Sequence, residues 1–343
     1  MKSKLFKVIF AVLVVSVISA CSNDNSNNTN DTEKQNEEID FPTESLTGVI
    51  PFSPGGTTDS ISRTIASIAE KELDESIVIQ NSPGGTGSIA TQEVYSEESD
   101  GHTLLFAAEN QNLYRATDIS ELSFNDFEPI ILLGREIPVF VTHADAKWET
   151  ISEVLDEIDE DPKSISMMTT GPVGISGVVT SMLDKDFNLV PYDGAGEGIA
   201  GVIGKQVDLG VVGLASAIDY VEAGDLKILS VVNDEPLEGY EDLPVLGEER
   251  PEYQEFLPWG PYYGVYVNKD TPDATIDALV ESFQTSWDKE EFQSFLSDNN
   301  IVPMGYSGEE ALEFQQDWES KTNWLLYEAG EASNPSEFDI KQP

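Results

Sequence analysis

The residues best placed to do chemistry fall in two short loops. Residues 49–66, VIPFSPGGTTDSISRTIA, carry an apolar strand into Ser53, Pro54, Gly55 and Gly56, and a helix pattern opens at once with Thr57, Thr58 and Asp59. Glycine lets the backbone take unusual angles and keeps side chains off it. A hydroxyl or carboxylate can cap the new helix. Unpaired N–H groups and the positive helix end then make a site for an anion. A plain strand–helix turn explains the same residues without function, with Asp59 and Arg63 as an i,i+4 ion pair. A second loop, TTGPVGISG at 169–177, repeats the arrangement with Thr170, Gly171, Gly174 and Ser176. Two such loops point to two helix N-termini facing one cleft, where a small carboxylate is gripped without lysine or arginine. Each helix end contributes roughly 0.3–1 kcal/mol and each charge-assisted hydrogen bond about 1.5–3 kcal/mol. Several together make a micromolar affinity, about −8 kcal/mol, attainable.

Other chemistries find little support. The 343-residue chain carries 64 acidic and 18 basic residues, a net charge of −46. Nucleic acid needs a basic surface and is not an expected partner. Such self-repulsion suits a salty setting, where charges are screened, and implies a halophilic or salt-tolerant source. His102 and His143 are the only histidines and Cys21 the only cysteine, so no zinc spacing exists and no metal is expected. The run DEIDED at 156–161 reads as a solvated helix end rather than a calcium site. GPVGISG around Ser176 is not a nucleophile elbow, and no catalytic residue is assigned. GTGSIA at 85–90 fits G-x-G-x-x-A after a strand, with Glu109 some twenty residues on, but the pattern is common by chance and no cofactor is expected.

The elements that must position these loops alternate along the chain. Strand-like runs include LTGVIPF, SIVIQN, HTLLFAA, PIILLG, PVFVTH, SISMMTTG, QVDLGVVGL, LKILSVV and GVYVNK; helical patterns lie between them, and two long ones close the chain. This order predicts an α/β fold with parallel sheets. Ahead of it, Lys2, Lys4 and Lys7 precede an apolar run ending at Cys21, the shape of an export signal over 1–20. The sequence Ile18-Ser19-Ala20-Cys21 resembles a bacterial lipobox, which would lipidate Cys21 and anchor the chain to the cell membrane. Residues 21–44 are polar enough to remain a flexible tether.

The motifs PFSPGGTTDSISR, VIQNSPGGTGSIATQEV, SDGHTLLF, LSFNDFEPIILLG, VPYDGAGEGIAGVIGKQVDL, YVEAGDLKILSV and WGPYYGVYVNKDTP, taken in order, resemble the substrate-binding receptors of tripartite tricarboxylate transporters, the Bug receptors. The likeness spans about 46–330, with His102 where the family usually has Tyr. It implies a type II periplasmic-binding-protein fold: lobe 1 over 45–135 and 250–343, lobe 2 over 136–249, closing on a ligand in the cleft. It also implies that Ser53, Gly55, Gly56, Thr57, Thr58 and Asp59, then Thr170, Gly171, Gly174 and Ser176, hold a ligand carboxylate largely through backbone N–H groups and waters. Pro172-Val173 depart from the family's second loop. Asp193 and Asp208 match its PY-x-G region and VDL strand; Asp208 reads as structural, and a carboxylate facing the cleft would suit an amine or hydroxyl. The expected protein is a monomeric, lipid-anchored, extracytoplasmic receptor that passes a small organic carboxylate to the permease subunits of such a transporter and catalyses nothing. A sensory binding protein and an exported α/β enzyme are the alternatives.

Overall fold

In a computed structural model, the structure describes residues 40–343 except Asp193 and Glu238. The signal-like leader, the proposed lipidation at Cys21 and the tether up to residue 39 lie outside the described residues.

Among the described residues, eleven strands and ten α-helices follow one another: β1 (Leu46–Ile50), α1 (Thr57–Leu73), β2 (Ile77–Asn81), α2 (Ser88–Ser96), β3 (Thr103–Ala108), β4 (Phe127–Arg135), β5 (Pro138–His143), α3 (Ile151–Glu160), β6 (Ser166–Thr169), α4 (Ile175–Leu183), β7 (Asn188–Pro191), α5 (Ala195–Ile203), β8 (Leu209–Gly213), α6 (Leu214–Glu222), β9 (Leu226–Val231), α7 (Leu246–Glu249), β10 (Tyr262–Asn268), α8 (Asp273–Trp287), α9 (Glu290–Asp298), β11 (Val302–Tyr306) and α10 (Gly308–Glu328). They build two sheets. One has six strands in the order β11-β4-β10-β3-β1-β2; the other has five, in the order β7-β6-β8-β5-β9.

Local sequence accounts for the pieces. In α1, Ile61, Ile65, Ile68 and Leu73 are buried, the apolar stripe that helical periodicity requires. β1 is almost wholly buried, whereas edge strand β2 alternates between buried Ile77 and exposed Val78. Helix α3 carries Ile151, Val154, Leu155 and Ile158 on its inner face, and the Thr150 side chain caps it by accepting from the Glu153 N–H.

The sheets are mixed, which corrects the expectation of parallel sheets. β1, β2 and β3 run parallel, as do β6, β7 and β8. However, β10 is antiparallel to β3 and β4, and β5 is antiparallel to β8 and β9. The cause is the crossing between sheets. A strand that leaves one sheet at its C-terminal edge enters the other from that sheet's C-terminal edge, and so runs against the parallel set. The register fixes this geometry: Tyr263 pairs with Ala108 at the end of β3, Tyr262 with Arg135 at the end of β4, and Pro138 with Gly213 at the end of β8. The C-terminal ends of both parallel sets therefore border the crossing at 135–138.

The return crossing touches the outward one backbone to backbone. Glu136 N–H donates to the Pro261 carbonyl at 2.8 Å, and a Cβ at Gly260 would collide with the Glu136 carbonyl. Leu214 N–H donates to the Ile137 carbonyl at 2.7 Å, tying the start of α6 to the same segment.

Candidate functional site

Both sequence-identified loops lie at C-terminal edges of parallel strands, where α/β sheets place ligands. The first follows β1. Gly56 caps α1 with φ −84° and ψ 174°, without a side-chain cap bond. Ser60 N–H makes the first turn's bond, to the Gly56 carbonyl at 3.0 Å, so the N–H groups of Thr57, Thr58 and Asp59 have no intrahelical partner. Gly55 has φ +92°, a conformation that favours glycine, and a Cβ on Gly55 or Gly56 would meet nothing within 4 Å. Open space thus faces the unpaired donors. Ser53, Gly55 and Gly56 are exposed; Thr57 and Thr58 are half-buried.

Asp59 is buried and turned into the loop. It accepts from Gly55 N–H at 3.0 Å, Arg63 Nε at 2.9 Å and Asn81 Nδ2 at 2.9 Å. Arg63 also reaches Asn81 Oδ1 at 2.7 Å, and Asn81 donates to the Phe52 carbonyl. Burial by itself would raise the Asp59 pKa, but the Asn81 amide, the Gly55 N–H and Arg63 outweigh it and hold the carboxyl below its usual range. Its side chain braces the glycine turn with both carboxylate oxygens hydrogen-bonded.

The second loop follows β6 and repeats the backbone by other means. Gly174 caps α4 with φ −84° and ψ 171°, again without a side-chain cap. Gly171 has φ +105° and open space over it. Hydroxyls hold this loop: Ser176 Oγ accepts from Thr170 N–H at 2.9 Å, and Thr169 Oγ1 accepts from Gly171 N–H at 3.2 Å. Ser176 is buried, Thr170 exposed, and Gly177 packs so closely under Gly171 and Pro172 that a Cβ there would strike their carbonyls. Gly171 and Pro172 border a cavity of about 600 Å³ shared with α4 and with Leu325 and Glu328 of α10.

Two predicted residues stand apart. Asp208 precedes β8, and its carboxylate accepts from Ser166 N–H at 2.9 Å and Ser166 Oγ at 2.6 Å. Ser166 begins β6, so Asp208 sits at the N-terminal end of the parallel set, away from the loop that leaves Thr169; as a ligand contact it is corrected to a strand-end staple. Asp193 lies outside the described residues.

Sequence reasoning missed the floor between the loops. Glycine also caps α2 (Gly87), α5 (Gly194) and α6 (Gly213), each at the same strand edges and without a side-chain cap. Thus GTGSIA is a third strand-edge loop, tied down by Tyr114, whose hydroxyl donates to the Thr86 carbonyl at 3.2 Å. Glu136, in the crossing, accepts from the Tyr263 hydroxyl at 3.0 Å, with Thr57 near that hydroxyl. The other side of the Glu136 carboxylate occupies the space a Gly213 side chain would need. Burial raises the Glu136 pKa. Glu109, directly after β3, is pushed up to about 7, first by burial and then by the Glu136 charge against hydrogen bonds from the backbone. The available signal was a lone Glu between two apolar runs, in GREIPVF.

Comparisons with known proteins agree on one family. Residues 61–330 match the family described as tripartite tricarboxylate transporter family receptor. A UPF0065 protein of Bordetella pertussis is 24% identical over 297 residues, 84% of this chain and 91% of that one. Among solved structures, a TctC solute-binding protein from Polaromonas superposes with a TM-score of 0.74 at 21% identity, covering 84% of this chain and 99% of its own. An R. palustris protein with adipate gives 0.69 at 20% identity, covering 86% and 99%. MatC from Rhodopseudomonas palustris with bound malate gives 0.66 at 21% identity, covering 83% and 100%.

Proposed function

Because the chain belongs to the tripartite tricarboxylate transporter receptor family, whose members are extracytoplasmic solute-binding receptors, we propose that it captures a small organic acid with the two glycine loops and hands it to the membrane subunits of such a transporter. The observation that carries this reading is the pair of uncapped helix N-termini at Gly56 and Gly174, with matching backbone angles and open space at Gly55, Gly56 and Gly171. In a chain of charge −46 the bulk field repels anions, so local N–H groups and helix ends must supply the attraction. A carboxylate fits them through backbone donors of Gly56, Thr57 and Thr58 on one side and of the 171–176 loop on the other. Ser53, Thr57, Thr58 and Thr170 offer hydroxyls; Asp59 and Ser176 act by holding their loops.

Lobes of 45–135 with 250–343 and of 136–249 hinge at the crossing and close on the acid. The partners are the acid, the permease and, through lipidated Cys21, the membrane; the receptor works as a monomer and performs no reaction. The adipate and malate in two structural neighbours support a dicarboxylate class. Saturating dicarboxylate or tricarboxylate in high salt is expected to raise the melting temperature by several degrees. A broad acid panel without any shift would contradict the reading.

A further inference from the structure

Two acids lie by the crossing, and among the described residues no cation pairs with them. Glu136 stands in the crossing, its carboxylate set between Tyr263 of the first sheet and Gly213 of the second. Thr57, at the first anion loop, lies at the same Tyr263 hydroxyl. Tyr263 and Glu136 therefore join the first sheet to the N-terminus of α6, with the N-terminus of α1 beside Tyr263. Glu109 is 9% exposed, and its Oε2 has no hydrogen-bond partner among the described residues. It lies close enough to Glu136 for their charges to repel. Among the described residues neither takes part in an ion pair. Lysine and arginine occupy other acids, as Arg63 does at Asp59 and Lys147 at Glu157.

Buried carboxylates are costly unless paired and fully hydrogen-bonded. The helix end at Gly213 and the Tyr263 hydroxyl answer Glu136 in part; nothing in the described chain answers the remaining charge. A ligand bearing only carboxylates would add a further negative charge to this floor. A ligand whose carboxylate sits on the Gly56–Thr58 donors and whose amine points past Thr57 would bring the missing counter-charge.

We propose that the cleft floor recognises an ammonium group: the receptor selects a carboxylic acid that also carries an amine, and Glu136 is the specificity-determining residue, with Glu109 as its second acid. This rests on the carboxylate reading above and narrows it. One consequence is that Glu136 discriminates against plain diacids of the same length, by leaving a desolvated charge unpaired in their complexes.

Calorimetric titration in high salt with two matched pairs, succinate against L-aspartate and glutarate against L-glutamate, separates the two readings. The expected result is at least tenfold tighter binding of the amino acid in one pair. In Glu136→Gln that preference should fall at least tenfold, while the plain diacid binds as well as before or better. A plain diacid binding as tightly as its amino partner in wild type would overturn the proposal and leave the carboxylate reading standing; that arm does not depend on the variant folding. Unchanged amino-acid affinity in a folded Glu136→Gln would overturn it too. L-malate matching L-aspartate would overturn it in favour of hydroxyl recognition. No binding of any of these acids at millimolar concentration would overturn the proposal, and the broad acid panel above then decides the carboxylate reading separately.

Discussion

The loops after β1 and β6 open their helices with nearly the same backbone, φ −84° and ψ 174° against φ −84° and ψ 171°, yet hold it by different chemistry. The first is braced by charge: Asp59 gathers Gly55, Arg63 and Asn81, and brings strand β2 into the loop. The second is braced by hydroxyls of Thr169 and Ser176 and by the close packing of Gly177. What the two share is a set of unpaired N–H groups under open space, and that shared part is what an anion can use. What differs is how each loop stays rigid enough to present it. The carboxylate of Asp59 is turned into its own loop and paired with Arg63, so its negative charge is answered locally beside the unpaired N–H groups.

The largest way to break this symmetry is Asp59→Ala. It frees Gly55 N–H, Arg63 and Asn81 together. A loss of about 2–3 kcal/mol in stability is expected by denaturant unfolding, with ligand binding weakened a hundredfold or more. Retained affinity would mean the first loop keeps its shape without the brace.

A second effect separates the loops from the floor between them. Glu109 is raised from 4.5 to about 7, burial being the main cause. A carboxyl whose folded pKa lies above its unfolded one holds its proton more tightly when folded. Its contribution is complete below about 4.5 and is lost as pH rises through about 7. Glu109→Gln should therefore gain on wild type over that window, by a few degrees in melting temperature. A gap between the two that is independent of pH would contradict the buried acid.

A smaller effect compares the two capping glycines. A Cβ at Gly174 would lie 2.7 Å from Thr170 Oγ1, whereas one at Gly56 meets nothing. Gly174→Ala should cost about 1 kcal/mol; Gly56→Ala should stay within about 0.5 kcal/mol of wild type. Equal effects on stability would erase the distinction drawn between the loops.

Much of the fold was legible in the sequence because its signals are local. The stripe of Ile61, Ile65 and Ile68, the apolar run PVFVTH and the glycine breaks between strand and helix each declare an element on their own. Short β7, with the pattern NLVP and mostly exposed, carries no such signal, and neither does α6. The antiparallel sense of β10 and β5 could not be read from periodicity, since it follows from where the chain crosses between sheets. The loops were visible for the same local reason. Asp208 reads as structural in the sequence, but where it acts depends on Ser166, 42 residues earlier, which holds it at the far strand end. Glu136 stayed hidden because its meaning depends on Tyr263, 127 residues away, and on the missing side chain of Gly213.

Gly56→Val tests the shared part of the two loops most directly. Its φ of −84° suits any residue, and the added side chain enters only the space above the free N–H groups. Calorimetric titration with the tightest acid of the panel should show affinity falling at least a hundredfold, with the melting temperature of the free protein unchanged. Undiminished affinity in a folded Gly56→Val would show that the acid binds elsewhere.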